Sequence, residues 1–261
     1  MKIAMGQFAV RPVWEENAAI CRDLMQRARA GGADALVLPE GVLARDITDP
    51  DIVKRSAQPL DGPFIAALLP ATQGLTVFFC VHVPAADGKV WNTQLALRDG
   101  RIIAQYRKLH LYDAFNMQES LNVLAGAEIP PLVEVAGLKV GMLTCYDLRF
   151  PELPRRLALD GADVLVAPSA WVRGPLKEMH WQVLSQARAL ENTCYLVAVG
   201  ECGPRNIGAS MVIDPLGVII ARAAETDALV FADIDAARLA QARLALPVLQ
   251  NRRFARPELA A

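Results

Sequence analysis

Apolar residues are spread along this chain with two different periods. Short, nearly unbroken apolar runs occur at Lys2–Val10, Ala35–Leu38, Leu75–Val83, Val90–Leu97, Arg101–Tyr106, Leu132–Val135, Lys139–Thr144, Val164–Pro168, Cys194–Val199, Ser210–Ile213, Val218–Arg222 and Ala228–Asp233. Runs of this length, bounded by glycine, proline or aspartate, predict buried strands. Between them the spacing widens to that of a helix. Glu15–Ala30 carries Ala19, Leu24 and Ala28 and stops at Gly31-Gly32, while Pro175–Glu191 has proline near its first turn and aligns Leu176, Met179, Val183, Ala187 and Leu190 on one side. A turn at Asp61-Gly62-Pro63 leads into a helix ending near Leu69, Pro151 opens another, and Ala236–Arg243 predicts a short last one. Arg98-Asp99-Gly100 joins two strands as a hairpin, with glycine for the left-handed position.

Two stretches have neither period. Lys108–Glu128 predicts a loop, and Leu244–Ala261 predicts an extended C-terminal arm whose apolar and basic mix needs a surface to lie on. No Ser/Gly linker, short repeat or glycine-rich phosphate loop interrupts the chain. Strands interleaved with helices over residues 1–261 predict one layered α/β domain.

Composition then removes several function classes. Hydrophobic residues are 53% and charged residues 21% of 261, so a large core is expected and disorder is not. The net charge is -1 with no basic stripe, which argues against nucleic acid and anionic membrane as partners. The opening MKIAMGQFAV is too brief for a secretory signal, and no stretch approaches the roughly 20 apolar residues that span a bilayer. Cys21, Cys80, Cys145, Cys194 and Cys202 form an odd set with no close-spaced pairs. Reduced thiols in a cytoplasm are therefore expected, not a disulfide framework or zinc site. His82, His110 and His180 are too scattered for a metal centre.

Chemistry concentrates where strands end. Glu40 follows ALVLP, Lys108 follows AQYR, and Cys145 follows GMLT. Strand ends are where sheet proteins assemble sites. Cys145 is expected to be seated by a strand that turns directly into a helix, near the positive end of the helix dipole. A thiol needs a base or a neighbouring cation to act as a nucleophile, and a glutamate and a lysine supply one of each. Read singly, each residue has an ordinary alternative: a buried small cysteine, a solvated glutamate, and a basic turn in Arg107-Lys108-Leu109-His110. A cysteine–histidine hydrolase using His110 or His180 is a rival constellation, and a non-catalytic binding protein is another.

The segments LVLPEG (Leu36–Gly41), YRKLHLYD (Tyr106–Asp113) and CYDLRFPE (Cys145–Glu152) resemble the three signature segments of the nitrilase superfamily of carbon–nitrogen hydrolases. The separations from Glu40 to Lys108 (108 − 40 = 68) and from Lys108 to Cys145 (145 − 108 = 37) suit that family. The resemblance covers nearly the whole chain and implies a four-layer αββα sandwich that forms a homodimer across helices, with the C-terminal arm reaching over the partner. It implies Glu40 as general base, Lys108 as electrostatic stabiliser, Cys145 as nucleophile and Glu119 as the residue that holds Lys108. Lys108 and the backbone N–H of Tyr146 would bind the oxyanion, and no metal or other cofactor is required. Tyrosine after the nucleophile is similar to the amidases of short dicarboxylate monoamides, which implies deaminated glutathione as substrate. The 2-oxoglutaramate, another small amide or an N-carbamoyl amine stays open as an alternative. For the substrate's carboxylate the expected partner is Arg173, with Tyr112 and Trp171 as an apolar wall; Arg149 and Glu152 are expected to brace the nucleophile loop.

Overall fold

Strand β1 (Lys2–Gln7) alternates in the way a two-sided strand must. Ile3 and Met5 face one apolar core, and Ala4 faces another. A computed structural model describes residues 1–49 and 51–260. In its first half, β1 is followed by α1 (Trp14–Ala30), β2 (Ala35–Val37), α2 (Ile52–Arg55), α3 (Pro63–Leu68), β3 (Thr76–Pro84), β4 (Val90–Arg98), β5 (Arg101–Arg107) and β6 (Val123–Leu124). The second half runs β7 (Val133–Val135), β8 (Leu138–Met142), α4 (Glu152–Leu159), β9 (Val164–Ser169), α5 (Lys177–Asn192), β10 (Tyr195–Gly200), β11 (Met211–Ile213), β12 (Ile219–Arg222), β13 (Ala228–Asp233), α6 (Ala236–Ala245) and α7 (Val248–Asn251).

The strands form two mixed sheets. One has the order β13-β1-β2-β3-β4-β5 with β6 beside β4, and the other has the order β12-β11-β10-β9-β8-β7. The first is sewn shut by the end of the chain, because β13 pairs antiparallel with β1, Lys2 opposite Asp233. Met5, Val37 and Phe78 point from the first sheet toward the second. Leu36, Leu38, Val77 and Phe79 point the other way and pack against Leu24 and Met25 of α1 and Phe64 and Leu68 of α3. Helices α4 and α5 cover the far face of the second sheet through Leu153, Leu157, Trp181 and Ala189. The layers are therefore helix, sheet, sheet, helix, the αββα sandwich that the sequence implies. Each large apolar side chain fully buried in these cores contributes roughly 1.5–3 kcal/mol.

Four local differences from the sequence reading have physical causes. The loop Lys108–Glu128 contains β6, too short to show a period, which pairs with β4 at Val90 and Trp91. The turn after β8 does not run straight into a helix: Cys145–Arg149 is a 3₁₀ turn, and α4 begins only at Glu152. On α5 the buried face is Trp181, Ser185, Arg188, Ala189 and Asn192, whereas Leu176, Met179, Val183 and Leu190 are exposed. The bulk of Trp181, which donates to the Ala209 carbonyl at 2.8 Å, decides which side of that helix enters the core. The C-terminal segment keeps α6 through Ala245, makes one further turn as α7, and then runs on with Phe254 exposed. Arg156 of α4 donates to the Pro257 carbonyl at 2.9 Å, and Arg256 pairs with Asp160. No helix among the described residues is long and apolar enough to cross a membrane.

Candidate active site

Glu40 follows β2 after Leu38-Pro39, Lys108 is the first residue beyond β5, and Cys145 opens the turn beyond β8. All three are buried, with Lys108 only 2% exposed and Cys145 8%. Lys108 Nζ lies 2.9 Å from Glu40 Oε1 and 2.9 Å from Glu119 Oε2, so one ammonium serves two carboxylates. Each carboxylate is also held by backbone: Ala170 N donates to Glu40 Oε2 at 2.8 Å, and Tyr112 N donates to Glu119 Oε2 at 2.7 Å. Cys145 lines the same cavity as Glu40 and Lys108 and is close enough to feel both charges. His110 and His180 bond elsewhere, to Asp147 and Arg149.

Charge in this cluster is set by burial and by the pairing. Burial by itself would raise the Glu40 carboxyl, but the charge and hydrogen bond of Lys108, aided by Arg45, hold it down at about 2. Burial likewise opposes the Lys108 ammonium, and Glu119 and Glu40 together keep it well above the usual lysine range. The Cys145 thiol is pushed well above the usual thiol range, by burial first and then by the Glu40 charge. At neutral pH the resting site therefore holds a neutral thiol, an ionised carboxylate and an ammonium. The expected activation of Cys145 by a helix dipole is corrected by this geometry, since α4 starts beyond the turn and the thiol answers to Glu40 and Lys108 instead.

The turn that carries Cys145 is braced. Cys145 has φ 45, a left-handed conformation that costs a non-glycine residue free energy and persists only where neighbours impose it. Asp147, fully buried, supplies that constraint: its Oδ2 accepts from Thr144 N and from Tyr106 Oη, both at 2.8 Å. Its Oδ1 lies 2.7 Å from His110 Nδ1. Tyr106 and His110 flank Lys108, so the nucleophile turn and the lysine segment are tied through one carboxylate. Gly126 closes the other side of Lys108. It donates from its N–H to the Lys108 carbonyl at 2.8 Å, and a Cβ there would lie 2.2 Å from the Arg107 carbonyl oxygen.

Above the cluster opens a cavity of about 680 Å³ with Glu40, Lys108, Glu119 and Cys145 among its walls. Tyr112 and Trp171, the residues expected to form an apolar wall, line it, and so does Tyr146. Arg173 is not brought there. Its guanidinium pairs with Glu225 at 3.2 Å on the surface. Arg149, expected only to brace the loop, is instead part of the cavity wall together with Lys177 and the exposed Arg205. Asn92 on β4 is the functional neighbour that sequence reasoning missed: its Nδ2 donates to Glu40 at 2.8 Å and to Glu119 at 3.3 Å. A polar side chain in the middle of the apolar strand VWNTQLAL was the available signal. Among the described residues, no group of three or more His, Cys, Asp or Glu side chains is disposed to hold a metal ion.

Two mixed sheets stacked between helices, with a buried thiol, carboxylate and ammonium meeting at their ends, define a nitrilase-type hydrolase. The chain belongs to the carbon–nitrogen hydrolase family, whose model matches residues 2–244, and it is an amidase-type hydrolase of amide carbon–nitrogen bonds. It is 55% identical over 261 residues to a deaminated glutathione amidase from Escherichia coli, covering 99% of this chain and 100% of that one. A deaminated glutathione amidase from Rattus norvegicus is 35% identical over 273 residues, covering 96% and 82% of the two chains. Among solved structures, a CN-hydrolase superfamily protein from Xanthomonas campestris with an arsenic adduct in its active site superimposes with a TM-score of 0.86. It is 27% identical, and 98% of each chain is covered.

Proposed function

We propose that this protein hydrolyses the amide of deaminated glutathione, releasing 2-oxoglutarate and cysteinylglycine through a thioester on Cys145. The observation that carries the reading is the convergence of Cys145, Glu40 and Lys108 on one cavity, with the ammonium 2.9 Å from the carboxylate. The substrate follows the 55% identical relative. Glu40 takes the Sγ proton as sulfur bonds to the amide carbon, and the carbonyl oxygen becomes an oxyanion facing the Lys108 ammonium and the Tyr146 backbone N–H. Protonated Glu40 then gives its proton to the departing amine as the carbon–nitrogen bond breaks. Water attacks the thioester, Glu40 accepts its proton, and collapse restores the thiol and frees the acid. Glu119 and Asn92 hold the Lys108–Glu40 pair in place throughout. Because the resting thiol is neutral, Glu40 takes its proton as sulfur attacks, beside the Lys108 ammonium.

The test is an enzyme-linked assay of the purified protein on deaminated glutathione, 2-oxoglutaramate and a simple nitrile. The expected order places deaminated glutathione first and the nitrile without turnover. Cys145→Ser is expected to abolish turnover with the fold retained. Near-normal activity in that variant would overturn the scheme, and a preference for 2-oxoglutaramate would move the substrate assignment within the family. The protein works in a cytoplasm, a placement supported by its five unpaired cysteines. It acts as a homodimer, a reading supported by the exposed apolar row on α5.

A further inference from the structure

Glu201, directly after β10, is fully buried and has no role in the steps above. A buried carboxylate persists only where donors meet its oxygens. Val10 N donates to Oε1 at 2.9 Å and Gly203 N donates to the same oxygen at 2.8 Å, while Asn206 Nδ2 donates to Oε2. The approach at Gly203 requires glycine, because a Cβ there would lie 2.5 Å from Oε1. The carboxylate therefore folds residues 201–206 around itself as a strap. It also ties that strap to the loop after β1, where Cys202 N donates to the Phe8 carbonyl at 3.4 Å.

The strap lies against the segment that holds Glu40. Residues 170–173 run beyond the end of β9, so sheet pairing does not fix them. The strap supplies pairing instead: Ile207 N donates to the Trp171 carbonyl at 3.0 Å, Arg173 N donates to the Arg205 carbonyl at 2.7 Å, and Val172 bridges Asn206. The segment held in this way grips Glu40 twice. Ala170 N donates to Glu40 Oε2 at 2.8 Å, and the Ser169 carbonyl accepts from Glu40 N at 3.4 Å. That same carbonyl accepts from Glu201 N at 2.9 Å. Hydrogen bonds thus run without a gap from the buried Glu201 carboxylate to the base of the reaction.

We infer that Glu201 is a positioning residue of this hydrolase. Through Asn206 and the strap it sets where the Ala170 N–H meets the Glu40 carboxylate, and so where the base stands relative to the Cys145 thiol. This role rests on the hydrolase reading above. Its effect is geometric, since displacing a catalytic group by about 1 Å costs about 100-fold in rate.

Three variants test it, with kcat on deaminated glutathione referred to the folded fraction given by near-ultraviolet circular dichroism. Glu201→Ala strips three donors of their acceptor, and is expected to lower kcat about 100-fold with KM within about threefold of wild type. Glu201→Gln keeps one oxygen for Val10 N and Gly203 N, and Asn206 can turn its amide to offer oxygen to the new N–H₂ group. That variant is expected to stay within about 5-fold of wild-type kcat. Gly203→Ala retains the carboxylate but crowds it; the expected loss is about 10-fold in kcat, and it keeps the test open where Glu201→Ala does not fold. Alkylation of Cys145 by iodoacetamide, followed on its own peptide by mass spectrometry, should slow in parallel, because it too needs Glu40 to take the thiol proton. A purely structural Glu201 would lower the unfolding midpoint and leave kcat of the folded fraction unchanged. Wild-type kcat in folded Glu201→Ala or folded Gly203→Ala would therefore overturn the positioning role, as would Glu201→Gln proving as slow as Glu201→Ala. A wild-type protein that hydrolyses no amide, with alkylation still slowed in the variants, would overturn the hydrolase reading and leave the brace standing.

Discussion

Buried in the wall of the same cavity, His82 has its imidazole pushed from the ordinary 6.5 down to about 4, by burial first and then by the charge of Arg45. The folded protein keeps this ring neutral, whereas the unfolded chain binds a proton near 6.5. Stability from His82 is therefore complete above pH 6.5 and is lost as pH falls toward 4. Glu40 titrates in a lower window, between its ordinary 4.5 and about 2, and its stabilisation is lost only there. Urea unfolding is expected to show about 2–3 kcal/mol less stability at pH 4.5 than at pH 7 attributable to this ring. The variant His82→Gln should lack that part of the decline; an identical pH profile in both proteins would refute it. Single residues were also the most legible level of the sequence. Glu40, Lys108, Glu119 and Cys145 stand in motifs that name them, whereas Asn92 lies in a strand whose pattern says only that it is buried.

Among the elements, the 3₁₀ turn Cys145–Arg149 depends on one carboxylate for its shape. Asp147 binds Thr144 in its own turn and Tyr106 and His110 across the sheet boundary, and Phe150 stacks on His110 with centroids 3.8 Å apart. Asp147→Asn preserves volume but puts an N–H₂ group where two donors already point. The expected result is a loss of about 2–3 kcal/mol of stability, from one unsatisfied buried donor and weakened charge-assisted bonds. A drop of about 100-fold in kcat, through displacement of Cys145, should accompany it. Thermal unfolding and steady-state kinetics measure the two effects, and wild-type kcat in a folded variant would show that the brace is dispensable. Elements themselves were partly legible. Strands fell where apolar runs lie, but β6 has two residues and no pattern, and the 3₁₀ turn came from tertiary bonds that no local spacing encodes.

Over the whole molecule, α5 presents its apolar row Leu176, Met179, Val183 and Leu190 to solvent. The proposed homodimer would bury a row of that extent. Val183→Glu is therefore expected to shift the protein to monomer in sedimentation velocity, with a lower unfolding midpoint and secondary structure unchanged. An unaltered oligomer would move the interface elsewhere. The C-terminal segment, by contrast, rests on α4 of its own chain through Arg156 and Arg256.

The sequence by itself determined the layered α/β class, the family, and the identities of the sulfur, ammonium and two carboxylates, because those depend on residue type and local period. Tertiary structure alone decided which cations face the cavity. Arg173 and Arg149 read alike in a linear chain, and only packing turns one outward to Glu225 and the other inward among aromatic rings. It also decided which side of α5 is buried, since a helix has a periodic surface but the neighbours that cover it come from distant parts of the chain.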